Sequence, residues 1–357
     1  MASCWSTRIS RASRPWPVVC WPSADVHAKT LAGAAEDDLR LRTEPWQFAR
    51  IFSTVTTSPA ASIRIATTGR REPMDNPHRA RFERDGYYIA ANVLHQDLVD
   101  RLNALGDHIL AQQDPEHFAQ HKTTGSMVLI DWAMTCDHPA MAELVAHPNM
   151  LSVLDRLGFD QPKFGHGRII SKPPHSPPLF WHEDGRFWND PVSYTTQPIQ
   201  VFLMYYLTDT TPQNGCLRVV PGSHRKRHPL HDRISPRHTK ELAAYENPDD
   251  PGFSRVDDEI DVPVKAGDLV IGYGNLLHAS HANQSAERRT VLTMWYYPDF
   301  TNLPERTRAT IVAAEGHNSH FTAAAPQTRA MLAPLKIEYD GDAEPIEIES
   351  VPGPAFK

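Results

Sequence analysis

Four cysteines in 357 residues are too few for a disulfide framework, and Cys4, Cys20, Cys136 and Cys216 form no CxxC pair. That pattern argues against a cystine-stapled scaffold, and it fits reduced thiols in a cytosolic enzyme. No apolar run is long enough to cross a bilayer and no secretion signal is evident, so a cytoplasmic protein without a membrane partner is expected. No internal repeat is present. The cationic surplus that nucleic acid demands is also missing. Residues 1–73 hold 10 Lys and Arg against 6 Asp and Glu, a net of +4, which leaves −11 for residues 74–357 out of a total of −7. Such an acidic region argues against nucleic acid as partner, and it tolerates metal capture well.

What is present divides unevenly. Residues 1–73 are rich in Ser, Thr, Ala, Pro and Arg, have no acidic residue before Asp25, and show no sustained period. They are expected to be a poorly structured extension: a tail, a transit-like segment, or translation from too early a start. Met74 opens a periodic pattern, and residues 74–357 have a natural size for one catalytic domain. Residues 77–86 predict a short helix, followed by an extended Gly86–Ala90. Leu94, Leu98, Leu102, Leu105 and Ile109 predict an amphipathic helix over 95–113, and Met141, Leu144, Val145, Leu151 and Leu154 another over 139–156. From about residue 163 short strands alternate with Pro/Gly turns, at 166–171, 179–184, 199–207, 216–220, 259–264, 268–273 and 289–297. Helices first and strands after predict an α+β fold with a barrel-like β core.

One segment carries chemistry: Phe180-Trp181-His182-Glu183-Asp184-Gly185-Arg186-Phe187-Trp188. In a strand, residues i and i+2 share a face, so His182 and Asp184 can grip one ion. His278 follows 96 residues after His182. Two histidines and one carboxylate make the facial triad of non-heme Fe(II) oxygenases, which leaves coordination positions open for a co-substrate and O2. His281 is the other candidate, but its surroundings, Ser280 to Ser285, read as a turn, whereas His278 follows a strand and the apolar Leu276-Leu277. Arg288 and Arg289 precede an apolar strand whose faces alternate, so one of them can point inward. An inward arginine offers a planar, permanently charged fork for the far carboxylate of 2-oxoglutarate.

These residues, in this order, resemble the phytanoyl-CoA dioxygenase family from about Phe82 to Phe300. The resemblance includes Ser171-Lys172-Pro173-Pro174, the run Asn214-Gly215-Cys216-Leu217-Arg218-Val219-Val220-Pro221-Gly222-Ser223-His224, and the closing stretch from Ala266-Gly267-Asp268 through His278-Ala279-Ser280 to Arg289. It implies a double-stranded β-helix (jelly-roll, cupin-like) core flanked by N-terminal helices, with Fe(II) held by His182, Asp184 and His278. It selects Arg289, 11 residues after His278, for 2-oxoglutarate, with Ser280 as hydroxyl partner and Arg168 lining the same pocket. Trp188 and Lys172 are the candidates on the substrate side, with a packed core tryptophan as the plainer alternative for Trp188.

The implied activity is hydroxylation of an unactivated C–H bond in a small organic molecule, using O2 and releasing succinate and CO2, by a monomer or homodimer. The same oxidant could instead serve desaturation or cyclisation, and a non-catalytic metal- or ligand-binding jelly roll is the rival from another class. Asp184 argues against a halogenase, which needs a small residue there. The basic run His224–His228 reads as a solvated loop or as a lure for an anionic substrate such as an acyl-CoA. His166 and His175 lack ligand spacing.

Overall fold

A computed structural model describes residues 76–112, 128–130, 138–234, 239–315 and 325–357. The expected extension over 1–73 lies outside them. Asn76 opens α1 (Pro77–Asp85) by accepting the His78 and Arg79 N–H groups at 3.1 Å each, and Pro77 occupies a first-turn position where no N–H is needed. Gly86 ends the helix with φ +83°, a left-handed conformation that favours glycine, and leads into β1 (Tyr87–Ala90). Next, α2 (Gln96–Ala111) buries Leu98, Leu102, Leu105 and Ile109, the stripe that its periodicity predicts. The short strand β2 (Val128–Ile130) follows.

Residues 139–156, expected as one helix, form two: α3 (Pro139–Val145) and α4 (Pro148–Arg156). Pro148 has no N–H and disfavours helical geometry at the residue before it, so His147 turns extended at ψ 123°. The remaining elements are β3 (Lys163–Lys172), β4 (Leu179–His182), β5 (Val201–Tyr206), β6 (Leu217–Val219), α5 (Lys240–Ala243), β7 (Ile260–Val262), β8 (Leu269–Tyr273), β9 (His278–Ser280), β10 (Arg289–Tyr297), α6 (Glu305–Glu315) and α7 (Pro326–Leu332). All seven expected strands occur, and β10 has the expected bounds. Strands β2 and β9 and helices α5, α6 and α7 lie outside the expected elements.

The strands form two antiparallel sheets, one ordered β1-β8-β5-β10-β3-β2 and the other β4-β9-β6-β7. This is a mixed α/β protein. Strand β10 is buried along its whole length because both of its faces are covered. On one side, Tyr296 donates to the Val145 carbonyl at 2.7 Å, and Leu292 and Met294 join one core with Leu98, Leu102, Leu144 and Leu154 of the helices. Burying each such leucine contributes about 1.5–3 kcal/mol. On the other side, Arg289, Val291, Thr293 and Trp295 alternate toward the four-stranded sheet. Phe202 of β5 meets the His278 ring of β9 across the gap, with centroids 4.8 Å apart.

The basic run at 224–228 does not form one charged patch. Arg227 pairs with Asp232 and donates to the Gly353 and Phe356 carbonyls, His228 pairs with Asp258, and His224 is buried. His224 Nε2 donates to the Glu83 carbonyl at 3.0 Å and its ring lies 4.3 Å from Tyr273, while Nδ1 is buried without a partner. A proton on Nδ1 would be charged, dry and unmatched, so burial pushes the His224 pKa down from 6.5 to about 4. Between those values the unfolded chain binds the proton and the folded chain does not. Stability from this residue is therefore complete above pH 6.5 and lost as pH falls toward 4, by about 3 kcal/mol. Urea unfolding from pH 7 to pH 4 should show a shallower acid loss in His224→Gln than in the wild type. Equal slopes would show that His224 is not protonation-sensitive.

Candidate metal centre

His182 ends β4 and His278 begins β9, and the two lie opposite each other in the strand register. Their ring centroids are 4.1 Å apart. Each Nδ1 lies 3.0 Å from the carbonyl two residues earlier in its own chain, Phe180 for His182 and Leu276 for His278. A carbonyl only accepts, so both Nδ1 atoms carry hydrogen, the tautomer in which Nε2 is the ligand atom. Asp184 Oδ1 lies 3.8 Å from His182 Nε2, and Oδ2 lies 3.8 Å from His278 Nε2. All three ligand atoms fall within 4.8 Å of one another. Two imidazole nitrogens and one carboxylate oxygen, with no thiolate, suit ferrous iron better than a closed zinc site.

Asp184 reaches this position differently from the expectation. The strand stops at His182, so simple alternation along β4 does not place the carboxylate. Instead the Asp184 and Gly185 N–H groups both donate to the Gly274 carbonyl, at 2.8 and 2.7 Å, which pins the turn against the residues after β8. The carboxylate is then oriented by Trp295, whose indole N–H donates to Oδ2 at 2.8 Å. His166 stacks on Trp295 at 4.5 Å, and its Nδ1 meets the buried Glu315 of α6 at 2.9 Å. The sequence reading missed Trp295, although counting alternate residues along β10 from Arg289 gives its face. Glu315 carried no local signal, because α6 returns to the sheet from far along the chain.

Arg289 is 3% exposed, and its Nη2 donates to the Gly215 carbonyl at 2.9 Å while Nε has no partner. Burial draws its pKa below the ordinary arginine value. Ser280, two residues after His278, has a buried hydroxyl without a partner, and so does Thr293. Arg168 lies opposite Thr293 in the β3–β10 register, 5.9 Å from the Trp295 ring. Arg289, Ser280 and Thr293 thus bring a buried cation and two buried hydroxyls without partners. His281 turns elsewhere and pairs with Asp261 at 2.6 Å, and Arg288 pairs with Asp107.

The two substrate-side candidates are both buried and hydrogen-bonded inside the protein. Lys172 is fully buried, and its Nζ donates to the Pro177 carbonyl. Burial, then the neighbouring Arg289, push its pKa far down. Trp188 is 1% exposed, packs against Phe356 at 4.6 Å, and donates to Glu183 Oε2 at 3.1 Å. Glu183 also meets His231 at 3.3 Å, so the residue between the two ligands anchors the segment to the 229–232 turn.

Among curated proteins, phytanoyl-CoA dioxygenase 1 of Oryza sativa subsp. japonica is 29% identical over 150 residues, covering 41% of this chain and 48% of that protein. The ectoine dioxygenase of Sphingopyxis alaskensis is 27% identical over 158 residues, covering 43% and 51%. The chain thus spans about half the length of these two relatives. L-proline trans-4-hydroxylase of Streptomyces griseoviridis is 26% identical over 235 residues, covering 61% and 84%. Among solved structures, EctD from S. alaskensis with 2-oxoglutarate and 5-hydroxyectoine aligns with a TM-score of 0.44 at 21% identity, covering 67% of this chain and 80% of that one. The family model for phytanoyl-CoA dioxygenase (PhyH) matches residues 82–291, from α1 into the strand that carries Arg289. With more than half of its length so matched, this chain belongs to the phytanoyl-CoA dioxygenase family.

Proposed function

We propose that this protein is an Fe(II)- and 2-oxoglutarate-dependent oxygenase that hydroxylates an unactivated C–H bond of a small organic molecule, releasing succinate and CO2. The observation that carries this reading is the meeting of the His182, Asp184 and His278 ligand atoms within 4.8 Å, beside a buried Arg289. Residues 74–357 form the catalytic domain under this reading, and the two facing sheets are the halves of a jelly roll. The enzyme works in the cytoplasm as a monomer or homodimer.

His182, Asp184 and His278 would hold the iron through two ring nitrogens and one carboxylate oxygen. When bound, the ferrous ion and 2-oxoglutarate supply the O2-dependent oxidising power. The chain's own contribution is position and dryness. Arg289 fixes the far carboxylate of the co-substrate by its planar fork, and Ser280 donates to the same group. Thr293, on the same face of β10 as Arg289, and its register partner Arg168 line the same pocket. Trp295 keeps one oxygen of Asp184 engaged and so limits how the carboxylate can turn toward the ion. The apolar Phe202 and Val291 exclude water around these groups.

Anaerobic reconstitution with Fe(II) and 2-oxoglutarate, followed by O2 and assay of succinate, tests the activity. Alanine at His182, Asp184 or His278 should abolish succinate formation with the fold retained, whereas His281→Ala should keep it. Loss in His281→Ala with retention in His278→Ala would overturn the ligand set.

Arg289→Lys keeps the charge and loses the fork, so the KM for 2-oxoglutarate should rise by a factor equivalent to about 1.5–3 kcal/mol. An unchanged KM there, with Arg288→Lys impaired, would transfer the role to Arg288.

Trp295→Phe deletes one donor to a metal ligand. Equilibrium dialysis with Mn(II) should show metal affinity reduced about 10–100-fold. Affinity equal to wild type would remove Trp295 from the site.

A further inference from the structure

A second group of side chains with metal-ligand chemistry lies apart from the triad. Cys216 immediately precedes β6, Asp261 is the middle residue of β7, and His281 immediately follows β9. Three neighbouring strands of the four-stranded sheet thus contribute one group each. Register brings them together: Leu217 lies opposite both Val262 and Ser280, and the His281 N–H donates to the Cys216 carbonyl at 3.1 Å. The Cys216 sulfur, a ring nitrogen of His281 and a carboxylate oxygen of Asp261 all fall within 4.8 Å of one another.

We propose that Cys216, Asp261 and His281 form a second cation site, which takes a thiophilic divalent ion such as Zn(II). Zinc accepts sulfur, nitrogen and oxygen ligands at about 2.0–2.3 Å, and a site with three protein ligands completes its coordination with water. The exposure fits that pattern. Cys216 is buried, while the side chains of His281 and Asp261 are 18% and 32% exposed, so an ion can arrive from solvent and keep a water on its outer side. The donor sets also sort the metals. The triad offers no sulfur and suits a borderline ion, whereas a thiolate favours a softer one.

Burial, followed by the nearby Asp261 charge, holds the Cys216 thiol up at about 12, so the sulfur carries its proton at neutral pH. Ion binding exchanges that proton: the S–H bond breaks, the S–Zn bond forms, and the proton leaves to solvent with no change in oxidation state. The hydrogen that His281 Nε2 shares with Asp261 Oδ1 at 2.6 Å leaves that nitrogen, the neutral ring keeping its one N–H at Nδ1, and the freed Nε2 and the carboxylate each bond the ion. The bound ion would tie β7, β6 and β9 together next to Ser280. This inference does not depend on the proposed activity.

The test uses chelator-treated full-length protein, titrated anaerobically with Co(II) while thiolate-to-cobalt charge-transfer absorption is read in the near ultraviolet. The expected result is a band that saturates with one cobalt per chain, is displaced by Zn(II), and persists in Asp184→Ala. Cys216→Ser should lose the band. His281→Gln and Asp261→Asn, which alter partly exposed side chains and spare the fold, should weaken affinity at least about tenfold. Absence of the band in the wild type, its survival in Cys216→Ser, or unchanged affinity in both surface variants would overturn the site and leave a simple ion pair beside a buried thiol.

Discussion

A slip of one residue between β4 and β9 would turn His278 to the other face of its sheet and leave His182 without a partner. The register that prevents this is secured from several sides. Leu179 and His182 pair with Ser280 and His278. The Leu277 N–H donates to the Ser223 hydroxyl at 2.9 Å, and its carbonyl accepts from Val220 at 3.1 Å. Beyond the strand, the Gly274 carbonyl takes both the Asp184 and Gly185 amides. A Cβ at 185 would strike the Asn275 side chain, which would have to turn away. Chelating geometry is thus a consequence of backbone hydrogen bonding, the two histidines through strand register and Asp184 through Gly274.

The second constraint is electrostatic. Arg289 and Lys172 are register partners, both fully enclosed, and no carboxylate among the described residues forms an ion pair with Arg289. Enclosing a guanidinium without an anion costs on the order of several kcal/mol. Lysine can lower that cost by shedding its proton, and burial moves it in that direction. Arginine holds its proton far more strongly, so residue 289 keeps its positive charge. Under the proposed activity the anion that matches it is the co-substrate, which makes the recess most favourable when occupied. In the other sheet, Arg218 of β6 is matched by Glu259 and stacks over Trp181, a buried cation with its anion already in place.

Much of this was legible in the chain because strand alternation and spacing are local properties. The nine-residue run 289–297 is apolar enough to announce a central strand, and its bounds follow from Arg289 and the turn after Tyr297. His278 was preferred to His281 for its apolar approach, and the structure brings His278 to the pair while His281 meets Asp261. What stayed hidden depended on distant contacts. Asp184 is held by Gly274 and Trp295, some 90 and 111 residues away, so the i, i+2 argument gave the correct neighbour for an incomplete reason. Lys172 and Trp188 carry polar atoms that find internal partners, at Pro177 and Glu183, and a motif cannot reveal that. The split at Pro148 was different, for its signal was present and the apolar spacing outweighed it.

Trp295 shows how one position serves fold and site together. Its backbone lies in the centre of the larger sheet, paired with His166 and Phe202. Its indole spans the gap to the other sheet and ends on Asp184. Behind it, the His166–Glu315 pair ties the ring to α6, and Tyr297 donates to the same glutamate. A smaller side chain at 295 would open space between the sheets as well as release the carboxylate. The two effects can be separated by size: phenylalanine keeps most of the packing and deletes only the N–H, so a difference between the wild type and that variant reports the hydrogen bond. The aromatic choice therefore follows from two demands at once, bulk to fill the gap and a donor at its far end, and tryptophan satisfies both across that distance.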